Sequence, residues 1–159
     1  MNNLEIERKF LVSGDFRSGA ASSTRIRQAY INNEGGRTVR VRIRDEKAYL
    51  TIKGPSLDGG LSRFEWEIEI PVADAEQLMR LRVTPLVDKR RYLVPFGGHT
   101  FEVDEFYGDN EGLVMAEVEL GSVDETFERP DWLGAEVTGD RRYYNSHLAR
   151  HPYKEWAHE

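Results

Sequence analysis

Six glutamates stand in three Glu-x-Glu pairs: Glu5/Glu7, Glu65/Glu67 and Glu117/Glu119. Bases repeat the same spacing. Arg40 and Arg42 are two apart, as are Lys89 and Arg91; Lys9 follows the first acidic pair, and Lys53 stands on a segment of its own. Hard divalent cations such as Mg²⁺ and Mn²⁺ choose carboxylate oxygens, and Mg²⁺ is commonly shared between a few carboxylates, water and substrate phosphates. Lys and Arg clamps orient phosphates and neutralise their charge. The two sets together suit a ligand that is a polyanion carrying a metal. The chain has no P-loop, so phosphates would be read by side chains rather than by backbone amides.

A spacing of two is the period of a β-strand, which sends alternate side chains to opposite faces. Strand signals separated by turn residues cover 4–12, 26–32, 38–44, 49–53, 61–71, 87–94, 100–106 and 114–120. NNEGG at 32–36 and RDEK at 44–47 mark tight turns, and GPSLDGG at 54–60 reads as a mobile loop. Helical spacing marks 72–83, with Asp74 near its start, and 140–151, which Pro152 stops. On nearly every strand the charges share one face and core-grade apolar residues share the other: Val39, Val41 and Ile43 alternate with the arginines, and Phe64, Trp66, Ile68 and Ile70 with the acids. An open sheet with its charged face in water is the simplest arrangement. Against it, each strand tends toward one sign of charge, and like charges two residues apart repel unless they meet something charged.

The arrangement that answers this is an α+β domain built on an eight-stranded antiparallel closed β-barrel, a tunnel with a charged interior and helices packed outside. A barrel of about eight strands has room inside for side chains or one small ligand, and buried charges are tolerable only when paired or bound to ions. Phe64, Trp66 and Phe101 are expected to pack outward against helices. Arg44 and Glu69 are expected at the rim, Arg63 beside an acid, and Tyr30 either against Lys9 or filling the tunnel mouth.

At 159 residues, with 39% hydrophobic and 11% aromatic content, the chain is expected to form one domain over 1–150 with a tail at 151–159. The formal charge of -6 argues against sequence-independent binding of long nucleic acid. No apolar run reaches membrane-helix length, and no signal-peptide core opens the chain. No membrane partner is therefore expected, and the expected location is cytoplasmic. Zero cysteines exclude thiolate metal sites, and the four histidines show no ligand spacing.

EIERKFLV resembles the Glu-x-Glu-x-Lys signature that opens the CYTH superfamily, the triphosphate tunnel metalloenzymes. The resemblance continues in order through QAYI, VRVRIR, YLTIKG, SRFEWEIEI, DKRRYLV, FEVDEF, AEVEL and EVTGDRRYYN, covering nearly the whole chain. It implies a metal-dependent triphosphatase of the small bacterial type, with inorganic tripolyphosphate as substrate, Mg²⁺ or Mn²⁺ as cofactor, and metal-activated water releasing orthophosphate. By position, Glu5, Glu7, Glu117 and Glu119 would hold metal, with Asp104 added to that set. Lys9, Arg40, Arg42, Lys53, Lys89 and Arg91 would grip phosphates. Lys9, Tyr30, Glu65 and Glu67 form the catalytic set. The expected partner is a small-molecule triphosphate, with a homodimer left open. The alternatives are a nucleotidyl cyclase resembling class IV adenylyl cyclases and a non-catalytic polyphosphate-binding module.

Overall fold

The computed structural model describes residues 4–156. Among the described residues, nine strands form one antiparallel sheet: β1 (Leu4–Val12), β2 (Ser22–Glu34), β3 (Arg37–Arg44), β4 (Lys47–Leu57), β5 (Ser62–Ile70), β6 (Val87–Phe96), β7 (His99–Phe106), β8 (Val114–Glu119) and β9 (Leu133–Glu136). Tight hairpins join β2 to β3, β3 to β4, and β6 to β7. Gly35/Gly36 and Gly97/Gly98 supply the positive φ that such two-residue turns require, and between β3 and β4 Asp45 takes φ 54°.

The sheet runs β5-β4-β3-β2-β6-β7-β8-β1 and closes because β1 also pairs with β5, through Leu4↔Phe64, Glu5↔Arg63 and Ile6↔Ser62. Eight strands therefore make the barrel. The ninth was not legible in the sequence. Below Ile6 the free edge of β1 is taken up by β9, through Phe10↔Glu136 and Val12↔Leu133, which covers an edge that would otherwise be exposed.

Apolar side chains cluster on the outside of the barrel, as the alternation requires. Phe10, Phe16, Phe101 and Trp132 gather on one side. Val41, Ile43 and Ala48 lie under the helix α1 (Val72–Met79), packed on its Ala75 and Met79. A third cluster closes one end. The inward rows of β1, β7 and β8 finish in Leu11, Phe106 and Met115, and these meet Tyr30, Val87 and Leu148. Leu148 belongs to α2 (Asn145–Arg150), and Tyr153 and Trp156 of α3 (Tyr153–Trp156) pack on the same cluster. So two residues of the segment read as a tail lie against the plug.

Two outward residues differ from expectation. Phe101 is fully buried, but Phe64 and Trp66 stay 49% and 40% exposed, beside Ile68 and Ile52. The reason is reach. With eight residues α1 is about 12 Å long, and it covers β3 and the start of β4 rather than the middle of β5. No described helix is long and apolar enough to cross a membrane.

Candidate active site

The inward rows enclose a cavity of about 180 Å³ whose walls are almost wholly charged or polar. Its acidic wall comes from neighbouring strands in register, with Glu7 opposite Glu119 and Lys9 opposite Glu117, and Glu5 is one inward step further along β1. Arg40 and Arg42 of β3 and Arg91 of β6 line the same space, and all three are at least nine-tenths buried.

Two lysines are interleaved with the acids. Lys53 Nζ lies 2.9 Å from Glu5 Oε1 and 3.2 Å from Glu65 Oε2; Lys9 Nζ lies 3.7 Å from Glu117 Oε1 and 4.0 Å from Glu7 Oε1. Glu65 and Glu67 therefore face bases. Arg40 reaches Glu67 at 3.6 Å and donates to Thr51 Oγ1 at 3.2 Å, and Thr51 in turn donates to Glu67 at 2.6 Å. The ring beneath Lys9 is that of Tyr144, 4.7 Å from Nζ, whereas Tyr30 fills wall space against the plug.

The electrostatics of the acidic wall are uneven. Burial raises Glu5, Glu7 and Glu119 above the ordinary carboxylate value. Neighbouring carboxylates add to this, Glu117 and Glu5 pushing on Glu7 and Glu5 on Glu119. Burial also works against Glu117, but Lys9 and Arg91, with a hydrogen bond shared with Glu7, outweigh it and hold Glu117 down at about 2. The wall thus carries more acid than its lysines answer. Among the described residues, no three acidic or imidazole groups already converge on one point as a metal cage, because Lys9 and Lys53 occupy the spaces between them. The donor set nevertheless fits a hard divalent cation, since every candidate ligand is a carboxylate oxygen and three are already strained by like charge.

The basic side is strained in the opposite sense. Arg42 donates Nε–H to Gln28 Oε1 at 2.8 Å, and burial, then Arg40 and Arg91, push its guanidinium down to about 9. Arg91 is instead held by a two-pronged pair with Asp104, at 2.8 and 2.9 Å, and by Glu102 at 3.2 Å.

Asp104 and Lys89 are engaged with each other and with Arg91. Both oxygens of Asp104 are occupied, Oδ1 by Arg91 and Oδ2 by Arg91 and by Lys89 Nζ at 2.7 Å. The aspartate thus orients Arg91. Lys89 is 0% exposed and lies behind the cavity wall, donating also to Asn145 Oδ1 at 3.2 Å. Desolvation, then Arg91 and Arg42, push its ammonium down to about 7 against the pull of Asp104. Asp104 answers Arg91 first, so Lys89 is the surplus cation. The value lies below that of the unfolded chain, about 10.4, so this group contributes stability that rises with pH between the two. A titration followed by the ¹³Cε shift of Lys89 is expected to show a midpoint near neutrality; a midpoint at the ordinary lysine value would mean that Asp104 dominates.

Of the other expectations, Arg44 is an exposed rim residue stacked on Tyr49, Glu69 is exposed, and Arg63 lines the cavity beside the Tyr144 ring. Thr38, Glu102, Tyr144 and Asn145 also line it. Thr38 and Glu102 are in phase with Arg40 and Asp104 and were readable by alternation. Tyr144 and Asn145 carried no such signal.

Comparison with known proteins bears on this geometry. Residues 3–146 match the model of the CYTH domain. An inorganic triphosphatase of Acetivibrio thermocellus is 50% identical over 151 residues, covering 94% of this chain and 96% of that protein. One of Nitrosomonas europaea is 39% identical over 150 residues, covering 91% and 96%. The solved structure of the inorganic triphosphatase NE1496 superposes with a TM-score of 0.66 at 36% identity, over 91% of this chain and 93% of that one. A Hippeastrum protein described as a putative adenylyl cyclase with a dominant triphosphatase activity shares the fold alone, with a TM-score of 0.59 at 16% identity over 74% and 80%.

Proposed function

Because the chain belongs to the CYTH domain family, we propose that it hydrolyses inorganic tripolyphosphate to orthophosphate and pyrophosphate with a divalent cation, Mg²⁺ or Mn²⁺. The observation that carries this reading is the cavity itself: about 180 Å³, walled by facing acids and bases. Pockets for drug-sized ligands run to about 300–1,000 Å³ and are mostly apolar, so a bare inorganic chain suits this space better than a nucleotide. A module that only binds anions would have no use for four carboxylates in the wall.

Phosphoryl transfer asks a protein mainly for positioning and charge neutralisation. Arg40, Arg42 and Arg91 take the phosphate oxygens, with Arg40 aimed by Glu67 and Thr51 and Arg91 aimed by Asp104. Lys9 and Lys53 exchange their carboxylate partners for phosphate oxygens as the substrate enters, and Glu65 keeps Lys53 within reach. Lys89 fixes Asp104 from behind, and Tyr30 limits depth. Glu5, Glu7, Glu117 and Glu119 would hold the cation, which when bound polarises phosphoryl oxygens and lowers the pKa of water. Water oxygen bonds to a terminal phosphorus, the bridging P–O bond breaks, and pyrophosphate leaves with that oxygen. No side chain is the nucleophile.

The test is phosphate release from tripolyphosphate, ATP, thiamine triphosphate and pyrophosphate, with Mg²⁺ or Mn²⁺ and with chelator, in ¹⁸O-water. Tripolyphosphate should turn over fastest, chelator should stop it, and one ¹⁸O should appear in the orthophosphate. A trapped phospho-enzyme, or cyclic nucleotide formed from ATP, would overturn the reading.

A further inference from the structure

Tyr144 occupies a position that the reaction above does not use. The residue interrupts the C-terminal helical region: its backbone is extended, at φ -71° and ψ 137°, between a short 3₁₀ turn (Arg141–Tyr143) and α2. Its side chain lines the cavity. Lys9 Nζ lies 4.7 Å from the ring centroid on the cavity side, and the Arg63 guanidinium carbon lies 5.9 Å from it. The hydroxyl shares a hydrogen bond with Ser56 Oγ of β4 at 3.1 Å. Gly60, packed against Gly139, lies beside that hydroxyl. A Cβ on Gly60 would come within 2.4 Å of Gly139 Cα and 3.0 Å of Tyr144 Oη, and both glycines have positive φ. The ring is thus pinned between Lys9 and Arg63 at its face and Ser56 and Gly60 at its hydroxyl.

Beyond that ring lies a cleft of about 610 Å³, lined among others by Pro55, Ser56, Arg63, Arg141 and His147. Tyr144, Thr38 and Arg63 line both this cleft and the cavity. The two spaces share a wall, and Tyr144 is its only aromatic member. Their chemistry differs. The cavity is dominated by charged groups, whereas the cleft mixes ring and proline faces with hydroxyl, amide and guanidinium groups and the carboxylate of Glu34, a set that suits a heterocycle on a sugar.

We propose that Tyr144 is the specificity-determining end-stop of the tunnel: its pinned ring confines the site to a bare triphosphate and shuts off a cleft that would otherwise accept the nucleoside of a nucleoside triphosphate. The inference rests on the triphosphatase reading for the chain that enters the cavity. Tyr144 acts by excluding volume and by backing Lys9; it forms no bond to the reacting phosphorus.

The experiment compares tripolyphosphate with ATP in wild type, Tyr144→Ala and Tyr144→Phe. The readouts are kcat/KM with metal and, separately, calorimetric binding with turnover stopped by chelator. Because loss of the ring also weakens the support of Lys9, the ratio of ATP to tripolyphosphate is the diagnostic quantity. Tyr144→Ala should raise that ratio ten-fold or more in both readouts, and Tyr144→Phe, which keeps the ring, should leave it within two-fold of wild type. Tyr144→Leu retains apolar bulk over Gly60 and should give an intermediate ratio if the alanine variant does not fold. An unchanged ratio in a folded alanine or leucine variant overturns the proposal. A wild-type protein that binds tripolyphosphate without hydrolysing it would defeat the functional reading instead, while the binding ratio still decides the role of Tyr144.

Discussion

Glu117→Gln is expected to lower tripolyphosphate hydrolysis by about 10³-fold, the scale on which removing a single charge-stabilising group acts in preorganised sites. Glu117 is the one member of the acidic wall held firmly ionised, because Lys9 and Arg91 outweigh the cost of its burial. The amide keeps its size and removes its charge, so loss of activity with retained fold isolates the charge. Stability should fall as well, since removing one partner of a buried pair leaves the others uncompensated, at a cost of about 3–5 kcal/mol when burial is complete. The pH dependence has a definite sign. Its folded value of about 2 lies below its ordinary 4.5, so the stabilisation from Glu117 is present above the ordinary value and is lost as pH falls toward the folded one. Acid unfolding of wild type should therefore be steeper through that window than that of Glu117→Gln. A variant that turns over within ten-fold of wild type would show that this carboxylate merely fills space.

Arg42→Met should move stability and function in opposite directions. Arg42 is buried, pushed down to about 9 by burial, Arg40 and Arg91, and it donates to the neutral Gln28. In the absence of substrate such a charge is a liability on the order of a few kcal/mol. Met fills similar space without it. The exchange leaves Gln28 Oε1 without its donor, an offset of about 1–3 kcal/mol. A net gain near 1 kcal/mol would raise Tm by about 2–4 °C in a domain of this size. The same substitution removes a phosphate clamp, so hydrolysis should fall by about 10²-fold. Added tripolyphosphate should raise the wild-type Tm more than that of the variant, since a ligand bound only by the folded state stabilises by mass action. Thermal scans with and without ligand decide it. A variant that is less stable and equally active would place Arg42 among residues that only hold the barrel together.

Both variants exploit a charge imbalance that was partly visible in the primary structure. Strand period is a local property: once Glu5, Glu7 and Lys9 alternate with Ile6 and Phe10, pairing fixes which group faces inward. The same holds for Arg40 with Arg42 and for Glu117 with Glu119. Signs segregated by strand argued for an interior over a solvent face, and the closure of β1 onto β5 bears that out.

What alternation could not decide was the depth of each inward residue and the partner it meets. Lys89 and Arg91 sit two apart on one face, yet Arg91 lines the cavity while Lys89 lies wholly behind Asp104. Cross-strand register sets that difference, because Asp104 is paired with Arg91 and the next inward position of β7 is the plug residue Phe106. Asp104, expected among the metal ligands, meets Arg91 and Lys89 for the same reason. Phe64 and Trp66 were expected under helices on outward phase alone; the length of α1 leaves them exposed. The C-terminal region read as one helix from 140 to 151, since Arg, Tyr and His spacing satisfies that pattern. Its break at Tyr144 answers to contacts distant in sequence, with Lys9, Ser56 and the Gly60–Gly139 seam. The sequence by itself determined which faces are charged; only closure of the barrel decided which charges meet and where the tunnel ends.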